Sequence, residues 1–364
     1  MKEKGKWWFK VKSRFLKRAA AKSFGGGISL KSEFIAPEAA DLLARLREYF
    51  LLAGESDFRL NPRWLAARLR IAENDLLSAL AYAVCDGLVE LHWEVYCPSC
   101  GSCAADYASL RESRGEIECR TCESEFETHL DRDVRVTFSA SESFRRLRSD
   151  SPVLMPLESA RHAPTRGLDL LLIPSFHKLF SGEAPPLNES LKISRVTILF
   201  TDLRGSTAMY AERGDPKAYR MVREHFDILR EAIERHRGVF IKTIGDSVMA
   251  SFASGTDAVR AAFAAQAELR GQVAEIGGEL ILKAGIHAGA CLVVNLNNQL
   301  DFFGTAVNTA ARVQTVSCGN DVAVTDTVFD EAETEITRFC SAENLAVKLR
   351  GLTEPVHIRR LTSG

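Results

Sequence analysis

Apolar and polar positions follow two different rhythms along this chain, and the change between them divides it. From 36 to 94 the apolar residues recur mostly at helical spacing. "APEAADLLARLREYFLLAG" predicts one helix and "NPRWLAARLR" a shorter one. After a turn at Ile71–Asn74, a longer helix runs on to end near Gly87, and Leu88–Val95 alternates with the period of a strand. From 194 onward, strands and helices take turns. A strand at 195–201 leads to the helix "DPKAYRMVREHFDILREAIERHRG", closed by Gly238. "VFIKTI" and "SVMASF" form a hairpin with Asp246 at its tip. A second helix, "GTDAVRAAFAAQAELRGQVAEI", precedes the strands "LILKAGIHAG" and "CLVVN". A helix around "AVNTAARVQTV", the strand "DVAVTD" and a last strand near 355–361 complete the pattern. This is an α+β arrangement, a ferredoxin-like βαββαβ unit with strands appended.

The first half resolves into smaller pieces. Helix, turn, helix and strand over 36–96 resemble a winged-helix module, an arrangement that reads DNA in many proteins. Its second helix is poor in Lys and Arg, so nucleic acid is not the expected partner. The chain has nine cysteines, and no secretory signal opens it. Cys97 and Cys100 form one CxxC pair and Cys119 and Cys122 another, which is the spacing of a four-thiolate structural zinc site within a ribbon over 97–139. Cys103 fits that spacing less well. Residues 140–193 read as linker plus an apolar packing segment, "LDLLLIPSFHKLF", and a catalytic-type domain fills 194–364.

Composition changes this picture little. At 364 residues, 46% hydrophobic and net charge −1, the chain suits two or three soluble domains, with a cytoplasmic setting expected. Residues 1–35 differ: the first 22 carry nine Lys/Arg against one Glu. Trp7, Trp8 and Phe9 among those cations could touch an anionic lipid surface, though a disordered basic tail is the plainer reading.

The candidate chemistry lies in the second half. Asp202 ends the first strand, and a βαββ sheet sets that strand beside the hairpin that carries Asp246. Paired carboxylates there suit hard divalent cations, Mg²⁺ or Mn²⁺. Gly205, Ser206 and Thr207 open a helix whose free N–H groups form an anion site. Together they imply a nucleoside triphosphate held with metal. Asn308 and Arg312, four apart on a helix, share a face and suit a ribose and a phosphate gathering charge. No GxxxxGK[ST] loop is present.

"FTDLRGST", "KTIGDSVMASF", "GIHAG" and "DFFGTAVNTAAR" resemble the catalytic domain of class III nucleotidyl cyclases over about 194–361. The segment 36–138 also resembles an uncharacterised region found ahead of such domains. The resemblance implies an adenylyl cyclase acting on ATP as a homodimer, with two metals per site and regulation by the N-terminal region. Asp202, Asp246 and the Leu203 carbonyl would hold metal, and Ser206 and Thr207 the triphosphate. Lys242 and Asp301 match the adenine-reading pair. Asn308 would orient the ribose, Arg312 would stabilise the transition state, and Arg350 stands where the family has a triphosphate-binding Lys. The rival reading is a nucleotide-responsive regulatory or DNA-binding protein.

Overall fold

The structure is a computed structural model that describes residues 37–52, 58–145, 162–206, 215–276, 280–351 and 354–363. The basic tail and Thr207 lie outside them. Helix α1 (Pro37–Leu52) buries Leu42, Leu43, Leu46 and Phe50 on one stripe. In α2 (Pro62–Leu69) Asn61 caps the start by accepting from the Arg63 amide, and Pro62 occupies the first turn, where no amide is needed. Arg70, left-handed at φ 57°, ends it. Helix α3 (Glu73–Cys85) begins a residue or two earlier than its pattern suggests, because Glu73 and Asp75 favour a helix N-terminus.

The strand that follows, β1 (Val89–Tyr96), joins what the sequence separates at residue 96. One edge pairs with β2 (Cys103–Tyr107). The cysteine segment then makes a small ribbon, β3 (Glu116–Glu118) with β4 (Glu125–Glu127). The other edge of β1 pairs with β5 (Val134–Ala140), in register from Val89↔Ala140 to Val95↔Val134. The expected winged-helix-like module and the ribbon are therefore one unit, because the strand that completes the helical module lies beyond the knuckles. The segment read as linker contributes α4 (Gly167–Leu171) and α5 (Pro174–Leu179), and Phe176 of α5 packs edge-on against Trp93 at 6.0 Å.

The second half runs β6 (Leu191–Leu203), α6 (Asp215–Arg235), β7 (Val239–Ile244), β8 (Ser247–Phe252), α7 (Gly255–Ile276) and β9 (Leu282–Leu296). The order β9-β6-β8-β7, antiparallel throughout, is the ferredoxin-like one. Leu199, Leu203, Val248 and Phe252 face α6 and α7 in one core. Ile198, Phe200 and Met249 face the other way and share a core with the N-terminal half.

Three features differ from the expected pattern. The two strands at 280–295 are a single strand, β9, because a bulge between Ile193 and Val196 lets β6 pair with both halves of it. Strand β10 (Gln299–Phe303), paired to β9, was not anticipated. Gly238 is not the left-handed cap of α6; Arg237 takes that conformation (φ 59°). Gly238 is there for space, since a Cβ would lie 2.2 Å from the Phe252 ring. Helix α8 (Thr305–Gln314) lies across β9 and β6, and β11 (Val322–Thr325), α9 (Asp326–Ile336), β12 (Cys340–Val347) and β13 (Val356–Ser363) extend the far edge.

Helix α8 sits so close to β9 that a Cβ on Gly285 would meet the Gln314 backbone nitrogen at 2.0 Å. Backbone cannot rotate away as a side chain can. Gly285→Ala should therefore cost about 2–3 kcal/mol or more, the scale of an overpacked core. Urea denaturation checks this, and the displaced helix should also weaken whatever Asn308 and Arg312 bind.

Candidate active site

Strand β6 delivers Asp202, half-buried, beside the first residue of β8. There the Ser247 hydroxyl donates to Asp202 Oδ1 at 2.6 Å. Asp246 sits at the tip of the β7–β8 hairpin, after Gly245 at φ +64°. Its Oδ2 is buried and has no hydrogen-bond partner among the described residues. A buried, unpaired carboxylate oxygen is costly without a cation or donor. Two hard oxygen donors at one sheet end, one of them unpartnered, fit a divalent cation. Beside them Gly205, left-handed at φ +73°, turns the chain from strand to helix at Ser206.

Lys242 of β7 donates to Asp301 Oδ2 on β10. Asp301 is 5% exposed, and its Oδ1 accepts from the Phe302 amide at 2.8 Å. Sequence reasoning paired these two residues; it did not foresee the strand that brings Asp301 there. His177 of α5 lies close enough to this pair to feel Asp301, although burial, aided by Arg230, holds its pKa below the usual range. Nothing in the sequence of the linker marked that approach.

On α8, Asn308 is exposed and Arg312 half-buried. Arg312 lines a cavity of about 760 Å³ with Lys348, Arg350 and Gly351. Among the described residues the lining has three cations and no carboxylate, which suits a polyanion. Lys348 was missed, because no motif frames it. Neither Asp202 nor Asp246 lines this cavity. The candidate residues thus fall into two groups within one chain: an acidic end with a helix start, and a cationic cavity under α8.

The cysteines form a separate centre. The Sγ atoms of Cys97, Cys100, Cys119 and Cys122 all lie within 4.8 Å of one another. Cys97–Cys122 and Cys100–Cys119 are each 3.7 Å apart. The edge of a tetrahedron with zinc–sulfur bonds of about 2.3 Å is about 3.8 Å. The two knuckles match each other: Gly101 N–H bonds the Cys97 carbonyl at 2.9 Å, and Glu123 N–H the Cys119 carbonyl at 2.7 Å. Ser102 and Ser124 place a hydroxyl within 3.0 and 3.1 Å of Cys100 and Cys122. Hydrogen bonding from Ser102 is the main cause that draws the Cys119 thiol down to about 6. Cys103 stands apart, directed at the Ala105 carbonyl. On the ribbon, Glu116 faces Glu127 and Glu118 faces Glu125 across the strands, all exposed.

Residues 189–358 match the adenylate and guanylate cyclase catalytic domain. Residues 31–163 match a family of unknown function, DUF5939. Receptor-type adenylate cyclase GRESAG 4.2 of Trypanosoma brucei brucei is 28% identical over 210 residues, which is 46% of this chain and 36% of that protein. Adenylate cyclase of Anabaena cylindrica is 28% identical over 203 residues, 50% of this chain and 40% of that protein. The chain thus spans well under half the length of these relatives. Among solved structures, the adenylyl cyclase CyaB from P. aeruginosa aligns over 48% of this chain and 97% of its own, at 19% identity and TM-score 0.45.

Removing Lys242 would leave Asp301 buried with one carboxylate oxygen unpaired. Lys242→Ala should lower stability by about 1–3 kcal/mol, the cost of an orphaned buried acceptor. Lys242→Ala combined with Asp301→Ala should recover part of that loss, because the charge left behind is gone. Thermal unfolding of both variants tests the pairing.

Proposed function

We propose that this protein is an adenylyl cyclase that converts ATP to 3′,5′-cyclic AMP and pyrophosphate at the interface of a homodimer. The observation that carries this is the division of the site. Arg312, Lys348 and Arg350 share one cavity that neither aspartate enters. A symmetric pair of chains can bring the acidic end of one against the cationic cavity of the other, twice.

In such a site Asp202, Asp246 and the Leu203 carbonyl hold Mg²⁺ or Mn²⁺. When bound, the cations acidify the ribose 3′-hydroxyl and shield the leaving pyrophosphate. The N–H groups at Gly205–Thr207 and the Arg350 guanidinium bind the triphosphate. Asn308 holds the ribose so that its 3′-oxygen faces the α-phosphorus in line with the departing oxygen. Arg312 meets the charge that develops on the α-phosphate. Lys242 donates to adenine N1 and Asp301 accepts from the N6 amine. Their bond to each other holds both groups in place before the base arrives. The relatives named as adenylate cyclases support this choice of base. ATP should be cyclised and GTP should not, with the product identified by mass.

Mixing Asp202→Ala and Arg312→Ala chains tests the shared site. Each alone should fall at least about 100-fold. After subunit exchange the mixture should regain about a quarter of wild-type activity, because half the dimers carry one intact site of two. A mixture as inactive as its parents, with exchange shown by gel filtration, would exclude the interface.

The four cysteines hold a structural Zn²⁺, supported by the tetrahedral sulfur spacing. The centre steadies the N-terminal unit, through which the cyclase domain is regulated. Removing the metal with a chelator should unfold that unit, since a closed thiolate site contributes on the order of 10 kcal/mol of folding energy. Elemental analysis finding no zinc, with four freely titrating thiols, would overturn the assignment.

A further inference from the structure

Neither the family match nor the motifs assign a role to Ser247. We propose that Ser247 is a positioning residue: its hydroxyl fixes the Asp202 carboxylate in the orientation that receives the divalent cation. This rests on the reading of Asp202 and Asp246 as metal ligands. Thr201 pairs with Val248, so the next step along the antiparallel ladder sets Asp202 beside Ser247. The Ser247 Oγ–Asp202 Oδ1 bond, at 2.6 Å, is short and charge-assisted. It takes up one carboxylate oxygen and leaves Oδ2 to the cation. Ser247 itself is well anchored, because it is the first residue of β8 and pairs with Ile244 across the tight turn.

The contrast with Asp246 sharpens the inference. Asp246 has a buried Oδ2 without a partner among the described residues, so it waits for its cation unsupported. Asp202 is held beforehand. A held ligand loses less rotational freedom when metal binds, and groups that orient a ligand typically govern metal affinity by 10–100-fold, as an order of magnitude. The two aspartates therefore do not contribute alike: one is preset by a neighbour on the adjacent strand, and the other adjusts.

The test measures metal rather than turnover. The full chain is titrated with Mn²⁺ by electron paramagnetic resonance in the presence of 3′-deoxy-ATP, which has no hydroxyl to react. Ser247→Ala should weaken Mn²⁺ binding by about 10–100-fold. Its thermal unfolding should stay close to wild type, as the residue is at a strand end. Ser247→Thr keeps the hydroxyl, suits a strand position, and should restore binding to within a few-fold. A Ser247→Ala chain that binds Mn²⁺ as wild type does, while Asp202→Ala abolishes binding, overturns the positioning role and leaves the metal reading intact. If Asp202→Ala also binds like wild type, both fall together.

Discussion

The pairing of β6 holds this protein together. This strand of thirteen residues pairs with β9 on both sides of its bulge and with β8 over Thr197–Thr201, and its first residues reach outside that sheet. Lys192 N–H bonds the Thr128 carbonyl at 2.9 Å, and the Leu130 amide bonds the Lys192 carbonyl at 2.8 Å. Asp131 accepts from the Ser194 amide at 3.0 Å. The residues just past the cysteine ribbon are thus built into the start of the strand whose other end carries Asp202. The N-terminal half is thereby tied directly to the strand that ends at Asp202.

Packing reinforces the ladder. Leu130, Val134 and Trp93 from the N-terminal unit share one core with Leu191, Ile193, Phe302 and Ala310 from the catalytic half. The catalytic sheet is buried on both faces: by α6 and α7 on one, and by α8 together with the N-terminal unit on the other. Burial of Leu, Ile and Phe side chains at about 1.5–3 kcal/mol each makes the N-terminal unit part of the support of that second face. Helix α5, with His177 near Asp301, makes a second point of approach, this one to the Lys242–Asp301 pair.

Much of the site was legible because its chemistry is local. A carboxylate at a strand end, a Gly-Asp turn and an Asn and Arg four apart each follow from short stretches, and the topology needed only a 4-1-3-2 order to bring the aspartates to one end. The knuckles were legible for the same reason, since each CxxC is a turn. What escaped was non-local. Strand β10 is short and reads as a loop, so the path that carries Asp301 to Lys242 was invisible. Lys348 joins the cationic cavity only through the fold of the far edge. Gly289 and Ala290 look like a break, and only the bulge in β6 shows why β9 continues through them. The unity of 37–140 was hidden because β1 and β5 are about forty residues apart in sequence.

The facing glutamates of the ribbon have a consequence of their own. Glu116 opposes Glu127 and Glu118 opposes Glu125 on strands of three residues each. Directly opposed like charges push a ladder apart, but the Lys192 ammonium pairs with Glu127 and offsets one of them. The ribbon is therefore held by the knuckles at one end and by the Lys192–Glu127 ion pair at the other. The repulsion and the ion pair are both exposed, so both depend on the surrounding electrolyte: at physiological ionic strength charges are screened beyond about 8 Å, and in dilute buffer the reach is several times longer. The strand that begins beside it, β6, thus meets at its origin, through Lys192, a balance of charges that varies with ionic strength.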